Sequence, residues 1–110
     1  MDVVGKSDPY VVAGVIGVND PKTTKHVNNT DAPRWNEVLT IKYKDQLNDK
    51  LKIVMYDKDN VSDDDPIATL EIPLNTVDNE KGIDQWYKMT PVKGVKDTKE
   101  GIKIHLAIHF

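Results

Sequence analysis

The C-terminal segment alternates without a break. Ile102, Ile104, Leu106, Ile108 and Phe110 share one parity, and Lys103, His105, Ala107 and His109 share the other. Period two of this kind predicts a β-strand with one face on a core and the other in water. A strand is also predicted at Tyr10 to Ile16, rich in β-branched and aromatic residues and closed by the turn-forming cluster Gly17 to Pro21. Another is expected at Trp35 to Tyr43, where Val38, Thr40 and Lys42 alternate with Leu39, Ile41 and Tyr43. Leu51 to Tyr56, Pro66 to Ile72 and Gln85 to Met89 are three more candidates, and Thr23 to Val27 is a weaker one. Pro73 to Asp84 and Val92 to Gly101 read as polar connections, the first with room for one helical turn. Seven candidate strands without a strong helical period predict an all-β fold, an antiparallel β-sandwich whose loops gather at two ends.

The strand at Leu51 to Tyr56 runs directly into Asp57-Lys58-Asp59-Asn60-Val61-Ser62-Asp63-Asp64-Asp65, five carboxylates in nine positions. Carboxylates so close repel one another and destabilise a fold unless a cation sits among them. A hard divalent ion with six to eight oxygen ligands suits them, and calcium suits a flexible loop better than magnesium, which demands near-ideal octahedral geometry. The competing reading is a solvated acidic turn. Strand-like segments on both sides of the loop, and a second acidic pair at Asp2 and Asp8, weigh toward a metal.

At 110 residues, 38% hydrophobic and 30% charged, the chain is expected to form a single domain over 1–110. Without cysteine there is no disulfide framework or thiolate metal site, which suits a cytoplasmic setting. No apolar run approaches the roughly 18 to 20 residues of a membrane-spanning helix, so membrane contact is expected to be peripheral. The net charge of −3 hides an asymmetry: outside Asp2, Asp8, Asp57, Asp59, Asp63, Asp64 and Asp65, 11 acids face 15 lysines and arginines, a net +4. Calcium in the acidic pocket would turn the whole surface positive and favour an anionic partner.

Three motifs carry a family resemblance. Asp2-Val3-Val4-Gly5-Lys6-Ser7-Asp8-Pro9-Tyr10-Val11 resembles the first calcium loop of a C2 domain, the module of protein kinase C and synaptotagmins, with its Asp, five residues, Asp-Pro-Tyr. Ala32-Pro33-Arg34-Trp35-Asn36-Glu37 is similar to the family's Asn-Pro-x-Trp/Phe-Asn-Glu element, with Ala32 in place of Asn. Asp57-Lys58-Asp59, five residues, then Asp65-Pro66-Ile67-Ala68 is similar to the third loop, with Ala68 in place of Gly. The resemblance implies a Greek-key sandwich and two or three calcium ions held by Asp2, Asp8, Asp57, Asp59 and Asp65. It places the carbonyls of Val3, Lys58 and Asp63 and the hydroxyl of Ser62 at auxiliary positions. The side chains of Asp63 and Asp64 fall outside the carboxylate pattern, and we read them as field. C2 domains normally carry a further strand before the first loop. Here the chain is a truncated piece, its start is mis-assigned, or another segment fills that place. With about seven strands, one neighbour loses its ladder partner, and the open edge invites self-association.

The function implied is calcium-dependent docking onto anionic phospholipid membranes, with recruitment from the cytoplasm when calcium rises. Val3 and Val4 in the first loop and Val61 in the third would meet the bilayer, each giving on the order of 1.5 to 3 kcal/mol if fully inserted. The alternative is a protein-interaction or scaffold module with structural calcium or none. Lys22, Lys25, His26 and Arg34 are too sparse for a firm second anion site, and nucleic acid is not an expected partner. An enzyme is not expected: there is no cysteine nucleophile and no GxxxxGK phosphate loop. His105 and His109 lie roughly 13 Å apart on a strand, too far to share a metal. An EF-hand is excluded because Val61 and Ala68 stand where it needs oxygen ligands. Asn28-Asn29-Thr30 and Asn60-Val61-Ser62 match the glycosylation sequon by chance, and Trp86 and Tyr87 read as core or edge packing.

Overall fold

Strand β1 (Pro9–Val15) buries every second residue: Pro9, Val11, Ala13 and Val15 face inward. The computed structural model of the protein describes residues 8–25, 37–58, 64–94 and 101–110. Proline opens β1, the position in a strand where its missing N–H costs least. Gly17, at φ 88, takes the left-handed backbone of the turn that follows. A two-residue strand β2 (Lys22–Thr23) then returns along β1.

Two longer strands continue the sheet on the other side of β1. β3 (Lys50–Asp57) buries Leu51, Ile53 and Met55, and β4 (Asp65–Pro73) buries Ile67, Ala68 and Ile72. The β3–β4 register slips between Met55 and Tyr56: Met55 pairs with Ala68, but Tyr56 pairs with Pro66, leaving Ile67 as the extra residue of a bulge. That is why two consecutive residues, Ile67 and Ala68, are both fully buried, at 0% exposure, where strict alternation would bury one. A 3-10 turn (Leu74–Thr76) follows, with Leu74 donating its N–H to the Asp49 carbonyl at 3.0 Å.

β5 (Ile83–Pro91) and β6 (Ile102–Ile108) form an antiparallel hairpin paired from Ile83↔Ile108 to Met89↔Ile102. Among the described residues the hairpin meets the rest of the sheet through two ladder pairs, Ala68↔Pro91 and Thr69↔Thr90, and a bond from the Val92 N–H to the Ile67 carbonyl at 3.0 Å. The strand order is β2-β1-β3-β4-β5-β6, antiparallel throughout. The sheet curls so that Met89, Ile102 and Ile104 of the hairpin share one core with Val11, Ile53, Met55 and Ile67.

The all-β sandwich read from the pattern is the fold, with six strands among the described residues. The expected strand at Trp35 to Tyr43 differs in its described part: residues 37–43 form no ladder. Their alternation still orients them. Leu39 and Ile41 pack on the core, Val38 is 96% exposed, and the Tyr43 ring meets Phe110 edge-on at 5.2 Å. On β6 burial fades along the chain, from buried Ile102 and Ile104 to half-buried Leu106 and Ile108 and exposed Phe110. Among the described residues no helix is long and apolar enough to cross a membrane.

Candidate functional site

Antiparallel pairing makes β1 start where β3 ends, and β4 start there too. Pro9 pairs with Asp57, and Asp57 pairs with Asp65. Carboxylates 49 and 57 positions from Asp8 in the sequence therefore meet it at one end of the sheet. The ends are tied together by backbone groups. The Asp8 N–H donates to Asp57 Oδ1 at 3.0 Å, and the Lys58 N–H donates to the Asp8 carbonyl at 3.0 Å. Asp8 and Asp57 are half-buried, whereas Asp65 and Lys58 are exposed.

Asp64, at the mouth of β4, has a different attachment. The Tyr10 hydroxyl donates to Asp64 Oδ2 at 2.6 Å, and the Tyr10 ring stacks on Tyr56 with centroids 5.3 Å apart and planes 14° apart. Burial of the phenol, then the hydrogen bond to Asp64 and its negative charge, push the Tyr10 pKa up to about 12. Sequence reasoning quoted Tyr10 within the Asp-Pro-Tyr motif but gave it no part in the site. Its contact with Asp64 spans two strand pairings, which no local pattern encodes.

Of the expected metal ligands, the structure brings together Asp8, Asp57 and Asp65, with the Lys58 backbone beside them. Asp2, Val3, Asp59, Ser62 and Asp63, and the expected membrane contacts Val3, Val4 and Val61, lie outside the described residues. Among the described residues no three carboxylates or histidines are close enough to hold a metal by themselves. The donor chemistry suits calcium: Asp8, Asp57 and Asp65 stand at the same end of three neighbouring strands, and Asp57 keeps oxygen lone pairs beyond the one given to the Asp8 N–H.

Elsewhere on the surface, Lys22 pairs with Asp20 at 3.3 Å, so part of the basic group considered for an anion is already neutralised. Trp86 is 66% exposed on β5 rather than in the core. It lies over His105, ring centroids 5.2 Å apart, and His105 Nε2 is 2.6 Å from Asp84. With Tyr87, Lys88 and Lys103 it lines a shallow open depression.

A family model described as C2 domain matches residues 1–89. Tricalbin-1 of Saccharomyces cerevisiae is 39% identical across 99% of this chain, which spans 9% of that protein. Synaptotagmin 1 of Drosophila melanogaster is 34% identical across 86% of this chain, which spans 21% of that protein. Among solved structures, a C2 domain of plant Extended Synaptotagmin 1 shares the fold, with a TM-score of 0.83 at 17% identity over 99% of this chain and 81% of that one. The calcium-bound pair of C2 domains from Extended-Synaptotagmin 2 gives 0.69 at 29% identity over 94% of this chain and 35% of that one.

Proposed function

The chain belongs to the C2 domain family, and from that premise we propose that its acidic tip binds calcium and thereby docks the domain, residues 1–110, onto anionic phospholipid. The observation that carries this reading is the position of Asp57, paired across the sheet with Pro9 on one side and Asp65 on the other and hydrogen-bonded to the Asp8 N–H. Without a cation that juxtaposition concentrates like charge at one edge of the molecule. With one, the repulsion becomes attraction.

Asp2, Asp8, Asp57, Asp59 and Asp65 would hold two or three ions, with the carbonyls of Val3, Lys58 and Asp63 and the Ser62 hydroxyl completing the oxygen shell. Bound calcium supplies open coordination positions that lipid phosphate or carboxylate oxygens can fill. The chain's own residues would do the rest: strand pairing sets the backbone of Asp57 and Asp65 beside the start of β1, and Val3, Val4 and Val61 would enter the acyl boundary. The net +4 of the remaining surface adds a salt-sensitive attraction to an anionic bilayer. Localisation follows as reversible, peripheral recruitment from the cytoplasm as calcium rises. No catalytic step is assigned to the chain.

Calcium titration by calorimetry, followed by co-sedimentation with phosphatidylserine vesicles with and without chelator, tests the reading. Heat of binding together with chelator-sensitive sedimentation supports it. Calcium binding with no recovery on vesicles would turn the reading toward a protein-interaction module, and no calcium heat would overturn it.

A further inference from the structure

We propose that Tyr10 is a positioning residue for the acidic tip: its side chain straps the mouth of β4 to β1 across β3 and so presets the backbone that presents Asp65. This rests on the calcium reading above. Tyr10 pairs with Tyr56, and Tyr56 pairs with Pro66, so Tyr10 and Pro66 lie on strands that are not neighbours in the sheet. Tyr10 bridges them, stacking on the intervening Tyr56 and donating to Asp64 Oδ2 at 2.6 Å. A hydroxyl bonded to a carboxylate at that length is a strong, charge-assisted hydrogen bond.

The strap sits where the ladder is weakest. Pro66 has no N–H to donate, and the bulge between Met55 and Tyr56 breaks the regular β3–β4 register immediately beyond it. Along the β3–β4 ladder the last pair at this end is Asp57↔Asp65. Tyr10 adds a side-chain anchor one residue before Asp65, from a strand whose own first residues are tied to Asp57 and Lys58. Asp64 thereby has a defined task without being a metal ligand. Its carboxylate is the far end of the strap, and a cation at the tip meets Asp8, Asp57 and Asp65 already in register.

Calcium chloride titrated into the wild-type chain, Tyr10→Phe, Asp64→Ala, Asp64→Asn and the Tyr10→Phe, Asp64→Ala double variant tests this. Tyr10→Phe keeps the ring stack and removes only the donor. It should weaken calcium binding about fivefold to tenfold, near the low end of the effect of outer-shell partners in metal sites, with stoichiometry unchanged. Asp64→Ala should weaken it similarly, and the double variant should be no weaker than the worse single one. Asp64→Asn, which keeps an oxygen acceptor, should lose less than Asp64→Ala, a rescue that loss of charge alone would not produce. If Tyr10→Phe does not fold, the Asp64 pair carries the test. Wild-type binding with Tyr10→Phe unchanged, or with Asp64→Asn and Asp64→Ala equally weakened, overturns the strap alone. Absence of calcium binding in the wild type overturns the calcium reading and the strap together.

Discussion

Asp8 and Asp57, 49 positions apart, are joined by a hydrogen bond from the Asp8 backbone N–H to the Asp57 carboxylate at 3.0 Å. One side chain thus has two tasks: it closes the end of the β1–β3 ladder, and it places negative charge at the tip. The tasks are separable because asparagine keeps an acceptor oxygen and loses the charge. Asp57→Asn with Asp59→Asn should abolish calcium heats while leaving metal-free stability intact. Thermal unfolding in chelator checks it. A midpoint lowered by more than about 4 °C, roughly 1 kcal/mol for a domain of this size, would show that the charge itself supports the fold.

Ile67 is fully buried as the extra residue of the bulge. Ile67→Ala should cost about 2–5 kcal/mol through lost burial and a residual cavity. Urea denaturation measures this directly, and a loss below about 1 kcal/mol would mean that the bulge relaxes to fill the space.

Gly82 and Gly17 both have positive φ, at 68° and 88°, but differ in surroundings. A Cβ on Gly82 would lie 2.5 Å from the Ile108 carbonyl oxygen and against the His109 ring, whereas one on Gly17 meets nothing within 4 Å. Gly17→Ala should therefore cost only the backbone term, roughly 1–2 kcal/mol. Gly82→Ala should cost clearly more, because the Ile83↔Ile108 end of the hairpin must shift. Equal losses in urea would remove the steric part of the argument.

Asp49 and Asp78 each hold a loop by accepting two backbone N–H groups: Asp45 and Lys44 donate to Asp49, and Lys81 and Glu80 to Asp78, all at 2.7–2.8 Å. These bonds, led by Asp45 for Asp49 and by Lys81 for Asp78, hold both carboxyls below the usual 3.8. The folded state therefore binds their protons less readily than the unfolded state does. The stabilisation is present above about pH 4 and is lost as pH falls through the depressed folded values. Asp49→Asn with Asp78→Asn should be less stable than the wild type near pH 6, and the gap should narrow below about pH 3.8. Urea midpoints across that range check it, and a gap independent of pH would refute the linkage.

Alternation in Leu51 to Tyr56 and Ile102 to Ile108 was enough to find β3 and β6, and the β-branched and aromatic run Tyr10 to Ile16 with the turn cluster after it was enough to find β1. Alternation was less informative at 37–43. There the pattern correctly separated Leu39 and Ile41 from Val38, but period two reports only which side is buried, and pairing depends on what lies alongside. β5 was expected at Gln85 to Met89, shorter than its nine residues, because Ile83 and Asp84 read as the end of a polar connection while still pairing with β6. In the site, the meeting of Asp8 with Asp57 and Asp65 followed from the loops of a sandwich gathering at its ends. The tie between Tyr10 and Asp64 did not, since it depends on a residue's reach over an intervening strand.

The narrow junction between β4 and β5 gives the molecule two zones of unequal cohesion. Among the described residues the ladder pairs Ala68↔Pro91 and Thr69↔Thr90 join the hairpin, followed by the Val92 N–H donating to the Ile67 carbonyl at 3.0 Å, and Pro91 has no amide hydrogen to lend. The hairpin is held as well by the wedge of Met89, Ile102 and Ile104 among the other apolar side chains. Solvent exchange of its amides should therefore track the tightness of that wedge, and slackening it would free β5 and β6 as a unit while β1, β3 and β4 keep their protection.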